Sequence, residues 1–200
     1  MNTARDLAIV ALSAPQDHPV EQGDLSLALA GAELLDLVAA RVVAVDEDDR
    51  LVPGASSPTG DRLLDEAAAL LVGQEPYESV EEWLWRRGRG LSSAYVDELE
   101  RTGSAARARG RRSERRVPLD SPASREAAQR QASGEPVLAA LASAAGIGEQ
   151  EQPGDEGTEF TDDAVTAVLA AVGGAVMELE AVRQQRAVEN AAFDNIWRAL

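Results

Sequence analysis

The sequence predicts a mainly α-helical protein that folds as a single domain around one buried, leucine-rich helix. With 200 residues, of which 44% are apolar and 27% charged, the chain can bury one substantial core. Apolar residues recur at helical spacing along most of its length, and β-rich runs are confined to two short stretches. We therefore expect helices throughout, with one or two short β-hairpins.

The first part of the chain predicts three helices and a hairpin. Residues 4–12 indicate a short apolar helix or turn, and the leucine-rich helix follows from Asp24, which suits an N-terminal cap. The apolar stripe of that helix consists of Leu25, Leu29, Ala32, Leu35 and Ala39, and Leu34 and Val38 widen it. Residues 41–53 predict a hairpin around an acidic turn at 46–49. A helix that starts at Thr59 or Asp61 and ends at Gly73 comes next.

The middle of the chain predicts further helices and a second hairpin. Ser79 and Glu82 are spaced as a capping box at the start of one helix, and Gly103 ends the next. A hairpin then closes at Pro118. Helices follow at 121–132 and 135–146.

The C-terminal part predicts a loop and a long helix. Residues 146–160 hold four glycines, one proline and five acids, which indicates a mobile loop. The helix from Thr161 to Leu200 is expected to break at Gly173 and Gly174. We assign residues 1–176 to the domain and residues 177–200 to an amphipathic helical extension.

An apolar stripe in this extension repeats at i, i+3, i+4 and i+7. Its residues are Phe193, Ile196, Trp197 and Leu200. Such a stripe most often packs on the parent core or on a second copy of the chain, and a partner protein is the less common use. It is a candidate interaction surface.

The composition argues against an enzyme. The absence of cysteine removes disulfides, thiolate metal sites and cysteine nucleophiles. The one histidine, His18, lies in a breaker-rich loop, and the acidic run 46–49 lacks the spaced oxygen ligands and glycine of a calcium loop. We expect no catalytic residue, metal, cofactor or small-molecule substrate. No apolar run reaches the roughly 20 residues of a spanning helix, so a cytoplasmic protein is expected.

The charge of the chain is unevenly distributed. The formal net charge is -16, and all nineteen basic residues are arginine. Residues 86–116 nevertheless hold ten arginines against four acids. Six of them lie in RARGRRSERR, residues 107–116: Arg107, Arg109, Arg111, Arg112, Arg115 and Arg116. A local basic segment can bind phosphate within a Debye length of about 8 Å, even where the rest of the chain is acidic.

A family resemblance is carried by SPTGDRLLDEAAALL, residues 57–71. It resembles the signature of the Golgi phosphoprotein 3 family, in which a Pro-Thr-Gly-Asp turn leads into a Leu-Leu-Asp-Glu-Ala helix. The surrounding order is similar too: GAELLDLVAARVVAV looks like the family's leucine-rich helix and small hairpin, and ESVEEWLWRR like its tryptophan-bearing helix. The resemblance covers about residues 5–176 and indicates a divergent member of bacterial type.

The resemblance implies a peripheral membrane protein whose basic pocket binds the headgroup of phosphatidylinositol 4-phosphate. By this comparison Arg86, Arg87 and Arg89 would meet the headgroup, and the arginines of the basic hairpin would serve membrane contact or self-association. By the same comparison the pocket is degenerate at two positions, where Glu21, or Val20 with a shift of one residue, stands in place of the family's tryptophan and Ala30 in place of its arginine. The expected partners are an anionic phospholipid surface and further copies of the chain.

Two other functions stay open. The chain could be a protein-interaction scaffold or self-associating adaptor without specific lipid binding, working through its C-terminal stripe. A lesser alternative is nucleic-acid binding by the basic hairpin. That segment lacks interleaved aromatic residues for base stacking, and the acidic remainder of the chain opposes contact with a polyanion.

Overall fold

The computed structural model describes residues 2–14, 20–55, 57–107, 116–148, 160 and 162–198, with residues 191–198 described by their backbone alone. In chain order the elements of this part are α1 (Thr3–Ser13), α2 (Gln22–Ala39), β1 (Val43–Val45), β2 (Leu51–Pro53), α3 (Arg62–Ala69), α4 (Val80–Arg87), α5 (Leu91–Arg101), β3 (Ala105–Arg107), β4 (Arg116–Pro118), α6 (Pro122–Ala132), α7 (Pro136–Ala144) and α8 (Asp163–Arg198). The predicted fold class, mainly α in one domain, is confirmed.

The core is organised around α2, which is buried on every side. All twelve residues from Ser26 to Leu37 are buried. Helices α1, α4, α5, α7 and α8 pack around it. The predicted apolar stripe is therefore too narrow, because a helix that is apolar all round has no face left for solvent.

Helix α2 begins at Gln22, so the prediction of Asp24 as its cap is wrong. Glu21 holds the N-cap position and makes no capping hydrogen bond with its side chain. Asp24 lies in the first turn, where its Oδ1 is 2.9 Å from Nη1 of Arg183 in α8. The carboxylate therefore ties two helices together instead of capping one.

The first turn of α1 is capped by the middle of α2. The two carboxylate oxygens of Asp36 accept hydrogen bonds from the backbone N–H groups of Thr3 at 3.0 Å and Ala4 at 3.1 Å. Asn2 accepts the next two N–H groups of the helix. Three donors that an α-helix leaves free at its start, the N–H groups of Thr3, Ala4 and Arg5, are thus satisfied. The negative charge also suits the positive end of the helix dipole.

Helix α8 is one uninterrupted helix, and the predicted break at Gly173 and Gly174 is wrong. Glycine in a helix interior costs only about 1 kcal/mol, and one face of α8 is held by burial against the core. Val168, Val172 and Ala175 are buried on that face. The helix also continues without interruption through residue 176, where the extension was expected to start.

Helices α2 and α8 are in close contact at Gly31. A Cβ atom on Gly31 would lie 2.4 Å from Cγ2 of Val172, closer than carbon atoms can pack. Glycine at this point lets the two helices approach each other. The buried valines of α8 can then reach the core.

Within residues 163–190 of α8, a stretch of 18 residues has a mean hydropathy of 1.7, which by length and composition alone would suffice to cross a membrane. The sequence analysis expected no such stretch, because it counted uninterrupted apolar runs. The alanines between the valines keep the average high. Only 17% of the stretch is buried against the rest of the protein.

Both predicted hairpins form. In the first, Val43 pairs with Pro53, and Asp46 closes the turn by accepting hydrogen bonds from the backbone N–H groups of residues 48 and 50. In the second, Ala105 pairs with Pro118 at the base. The tip of the second hairpin, residues 108–115, lies outside the described residues.

The predicted helix ends are confirmed at most positions. Ser79 and Glu82 form the capping box of α4 with both hydrogen bonds present, and Gly103 follows α5 with a φ of 73°. The exception is α3, which ends at Ala69 instead of reaching Gly73. The carbonyl oxygen of Leu70 accepts a hydrogen bond from Arg86 at 3.1 Å, so a contact with α4 replaces a further helical turn.

We expect the substitution Asp36→Ala to lower the free energy of unfolding by about 2–3 kcal/mol, because it leaves two buried backbone N–H groups without an acceptor. Asp97→Ala is the matched control, since Asp97 is exposed on α5. Urea unfolding followed by circular dichroism measures both variants. Equal midpoints for the two would contradict a capping role for Asp36.

Candidate functional site

The turn between α4 and α5 carries the arginines predicted to meet a headgroup. Its position is fixed by Gly88, where a Cβ atom would lie 3.4 Å from the backbone oxygen of Ser26 in α2. Gly90 has a φ of 71°, in the left-handed region that glycine adopts without strain, and α5 starts directly after it. The turn is therefore pressed against the central helix.

Arg87 points into the protein and is bound there. Its Nε donates to Oε2 of Glu33 at 2.7 Å and its Nη2 to Oε1 at 2.9 Å, a two-point contact. Nη2 also donates to the carbonyl oxygen of Leu63 at 3.2 Å, and the hydroxyl of Tyr95 donates to Glu33 at 3.0 Å. The Glu33 side chain is fully buried and that of Arg87 is 8% exposed. Arg87 is thus saturated by internal partners.

The pKa shifts of this pair reflect burial opposed by attraction. Burial raises the pKa of Glu33, while the contacts with Arg87 and Tyr95 act against that shift. Burial acts to lower the pKa of Arg87, but its hydrogen bonds and its attraction to Glu33 outweigh burial and leave that pKa raised. The short two-point geometry indicates that both side chains are charged at neutral pH.

Arg86 is bound to a different part of the protein. Its Nε and Nη2 each donate to the carboxylate of Glu78 at 2.6 Å, and its guanidinium lies 5.2 Å from the centre of the Trp83 ring. This combines an ion pair with a cation–π contact. Arg86 and Arg87 therefore diverge, one toward the α3–α4 loop and the other toward α2.

Arg89 is exposed at the turn, as Arg86 also is, and differs from both neighbouring arginines in its contacts. It makes no hydrogen bond or ion pair with any other residue of the described ranges. Of the three arginines predicted to meet a headgroup, it alone projects without an internal carboxylate. Their role as headgroup ligands stays a prediction.

The basic hairpin begins at the far end of α5. Arg107 is exposed at the end of β3, and Nε of Arg116 donates to Oε1 of Glu100 at 2.7 Å. The other hairpin arginines, Arg109, Arg111, Arg112 and Arg115, lie outside the described residues. Arg89 precedes the first residue of α5, so the eleven residues of that helix, roughly 16 Å, separate it from the base of the hairpin.

The two positions at which the pocket was expected to be degenerate lie in different surroundings. Ala30 is fully buried, and its carbonyl oxygen accepts a hydrogen bond from Nε1 of Trp83 at 3.3 Å. Glu21 is exposed at the start of α2. The Ala30 position is covered by α4 and offers no surface to a headgroup.

Other candidate groups add no chemistry to this site. In the part of the chain that the structure describes, histidine, aspartate and glutamate side chains nowhere gather in threes that could hold a metal ion. His18 lies outside that part. The helix of the C-terminal stripe reaches Arg198, so Phe193, Ile196 and Trp197 belong to α8, while Leu200 lies beyond the described residues.

Comparison with known proteins gives the family. Residues 4–193 match the family model described as Golgi phosphoprotein 3 (GPP34). The chain belongs to the Golgi phosphoprotein 3 family. No curated protein matches it at a significant level. Members of the Golgi phosphoprotein 3 family are non-catalytic lipid-binding and adaptor proteins, associated peripherally with the Golgi. The match also extends past residue 176, where the sequence resemblance was seen to end.

The sequence analysis missed the glutamates that bind Arg86 and Arg87. Glu33 occurs within LALAGAELLDLVA, a segment that is otherwise almost entirely apolar. A carboxylate buried in such a helix needs a cation beside it. A glutamate in an apolar segment was therefore the sequence signal that could have predicted a buried ion pair. Arg87, two helical segments later in the chain, is that cation.

We expect Glu33→Gln to lower the free energy of unfolding by about 3–5 kcal/mol, because it removes the buried counterion of Arg87 and leaves it only the half-exposed Glu66, whose Oε1 is 3.8 Å from Nη1. The double variant Glu33→Leu/Arg87→Met should recover most of that loss, since apolar residues can replace a buried pair. Arg89→Ala is the control and should stay within about 0.5 kcal/mol of the wild type. Urea unfolding distinguishes the three. A loss in Arg89→Ala as large as that in Glu33→Gln would contradict the separate roles of the two arginines.

Proposed function

We propose that this member of the Golgi phosphoprotein 3 family is a cytoplasmic, peripheral membrane module that binds anionic phospholipid surfaces reversibly, without selectivity for phosphatidylinositol 4-phosphate. The observation that carries the proposal is the internal pairing of Arg86 and Arg87 with glutamates, while Arg89 and Arg107 project from the protein. The basic charge available to a ligand is therefore spread over the surface.

The arrangement at the turn argues against a selective headgroup pocket. A phosphate monoester is held tightly when several charged donors converge on it at about 3 Å. Here Arg89 is the arginine of the turn that has no internal partner among the described residues, and the Ala30 position is buried beneath Trp83. One arginine can attract a phosphate but cannot distinguish a phosphoinositide from another anionic lipid.

The basic hairpin supplies the larger share of the proposed attraction. Each arginine near an anionic leaflet contributes about 1 kcal/mol, so several together can hold a protein at the surface. The attraction is short in range because salt screens it within about 8 Å. The acidic remainder of the chain would then face away from the lipid, and binding would be reversible.

We expect the full-length protein to sediment with vesicles of phosphatidylcholine and phosphatidylserine at low salt, and to be released as salt is raised. Replacing Arg107, Arg109, Arg111 and Arg112 with serine should reduce the bound fraction more than tenfold, because four favourable contacts are lost. The matched control replaces Arg41, Arg50, Arg125 and Arg186 with serine, which changes the net charge equally at other exposed positions.

The same assay tests selectivity. Vesicles that carry phosphatidylinositol 4-phosphate, adjusted to the same surface charge, should bind the protein about as well as those with phosphatidylserine. A strong preference for the phosphoinositide would overturn the lack of selectivity. Equal binding by the hairpin variant and its charge-matched control would overturn the membrane contact itself.

A further inference from the structure

Helix α6 is attached to the rest of the protein by very little apolar burial. Of its eleven residues, Ala127 is the one that is fully buried, and Ala123 is partly buried beside it. The apolar anchor of the helix therefore consists of alanine methyl groups. The shorter helices α3 and α7 bury three residues each, with leucines among them. Because an isolated helix of this length is only marginally stable in water, α6 depends on its other contacts.

Ion pairs to α1 supply those contacts. Nη1 of Arg130 lies 2.6 Å from Oδ2 of Asp6, whose side chain is fully buried. Nη2 of Arg5 lies 3.0 Å from Oε2 of Glu126, and both of these side chains are partly exposed. Arg5 also lies 3.3 Å from the carboxylate of Asp6. If α6 moved away, Asp6 would gain water and keep Arg5 beside it, so no isolated charge would be left buried.

Arg130 has a second partner beyond the C-terminal end of α6. Its Nη2 lies 3.0 Å from Oε2 of Glu135, the residue that caps α7. The backbone N–H of Glu135 also donates to the carbonyl oxygen of Arg130 at 3.2 Å. Arg130 is thus shared between α1 and the start of α7, and the contact with Glu135 does not require α6 to lie on α1.

The joint between α6 and α7 has the geometry of a hinge. Gly134 has a φ of 65°, in the left-handed region, and a Cβ atom added there would have no neighbour within 4 Å. An open cavity of about 350 Å³ lies beside it, lined by Gly134, Pro136, Ala139, Ala140 and Phe160. Hinges are residues at element ends that can absorb a backbone rotation. The joint has both the backbone freedom and the space for one.

We propose that α6 is a strap that opens away from α1 while the rest of the fold stays intact. In the closed state Arg130 joins Asp6 to Glu135. In the open state Arg130 keeps Glu135 alone, and the carboxylate of Asp6 becomes accessible on α1. The core survives the opening because α1 and α7 still pack on α2 and on each other. The strap goes beyond the lipid contact proposed above, since its ion pairs use Arg5 and Arg130, which that contact does not involve.

Native-state hydrogen exchange of the full-length protein tests the strap. The backbone amides of α6 should exchange at least about a hundredfold faster than those of α1, α2 and α7. Their rates should not change in low concentrations of urea, because a local opening exposes little surface. Equal protection of α6 and α2, or a urea dependence of α6 as steep as that of global unfolding, would overturn the proposal.

A buried thiol gives a second measurement, because the natural chain has no cysteine. Ala127→Cys places a thiol beneath α6, where it is inert until the surrounding structure opens. Ala30→Cys is the matched control, since Ala30 is also fully buried but lies in the central helix. With a thiol reagent, the Ala127→Cys variant should react at least about a hundredfold faster than the Ala30→Cys variant. Circular dichroism checks that both are folded, and equal rates would contradict the strap.

A charge substitution tests the role of Arg130. Added to Ala127→Cys, Arg130→Gln should speed the thiol reaction about tenfold, because a charge-assisted hydrogen bond to a buried carboxylate is lost. Arg125→Gln is the matched control on the same helix, since Arg125 pairs with Asp120 and both side chains are exposed. It should leave the rate within about twofold. Equal effects of the two substitutions would show that the ion pair with Asp6 does not hold the strap closed.

A core substitution separates local opening from global unfolding. Val168 of α8 is fully buried, and Gly31 of α2 lies beside it. Val168→Ala should speed the reaction of the Ala30→Cys thiol about tenfold, because it weakens the core that global unfolding must break. The Ala127→Cys thiol should be unaffected, since the core is the same in the closed and open states. Equal acceleration of both thiols would mean that α6 opens only when the whole protein unfolds, and would overturn the proposal.

Discussion

The buried ion pair between Glu33 and Arg87 is the interaction on which the packing of the helices depends. Glu33 lies in the centre of α2, Arg87 ends α4, Tyr95 belongs to α5 and the Leu63 carbonyl to α3. Four helices are therefore joined through one carboxylate and its partner. Because burial penalises either charge alone, the pair can exist only when all four helices are in place, which couples their positions. Non-directional apolar contacts would not impose that requirement.

The same principle recurs at the periphery of the core, where carboxylates hold further arginines of the described residues. Arg86 binds Glu78, and Arg183 of α8 binds Asp24. Arg130 of α6 binds the fully buried Asp6 at 2.6 Å and so attaches α1 to α6. In a strongly acidic chain the arginines are neutralised first by internal carboxylates. The arginines that have no internal carboxylate partner then determine which ligands the surface can attract.

The sequence sufficed for the elements whose signals are local. The capping box of Ser79 and Glu82, the glycine after α5 and both hairpins follow from residues close together in the chain. The sequence also sufficed to identify the arginines of the candidate site, but not the glutamates that bind them. Glu33 and Arg87 are separated by 53 intervening residues, and only the fold brings them together. The continuity of α8 was missed for the same reason, because distant contacts outweigh two glycines.

The close approach at Gly31 imposes a condition on how the sequence can change. Cγ2 of Val172 occupies the space that any side chain at position 31 would need. A larger residue at 31 is therefore compatible with the fold only if position 172 loses volume at the same time. The two positions, 141 residues apart, should vary as a pair among relatives of this chain, with glycine opposite valine or alanine opposite a smaller residue. Close packing between two positions that are far apart in the chain therefore predicts a correlation between the residues found at those positions in related sequences.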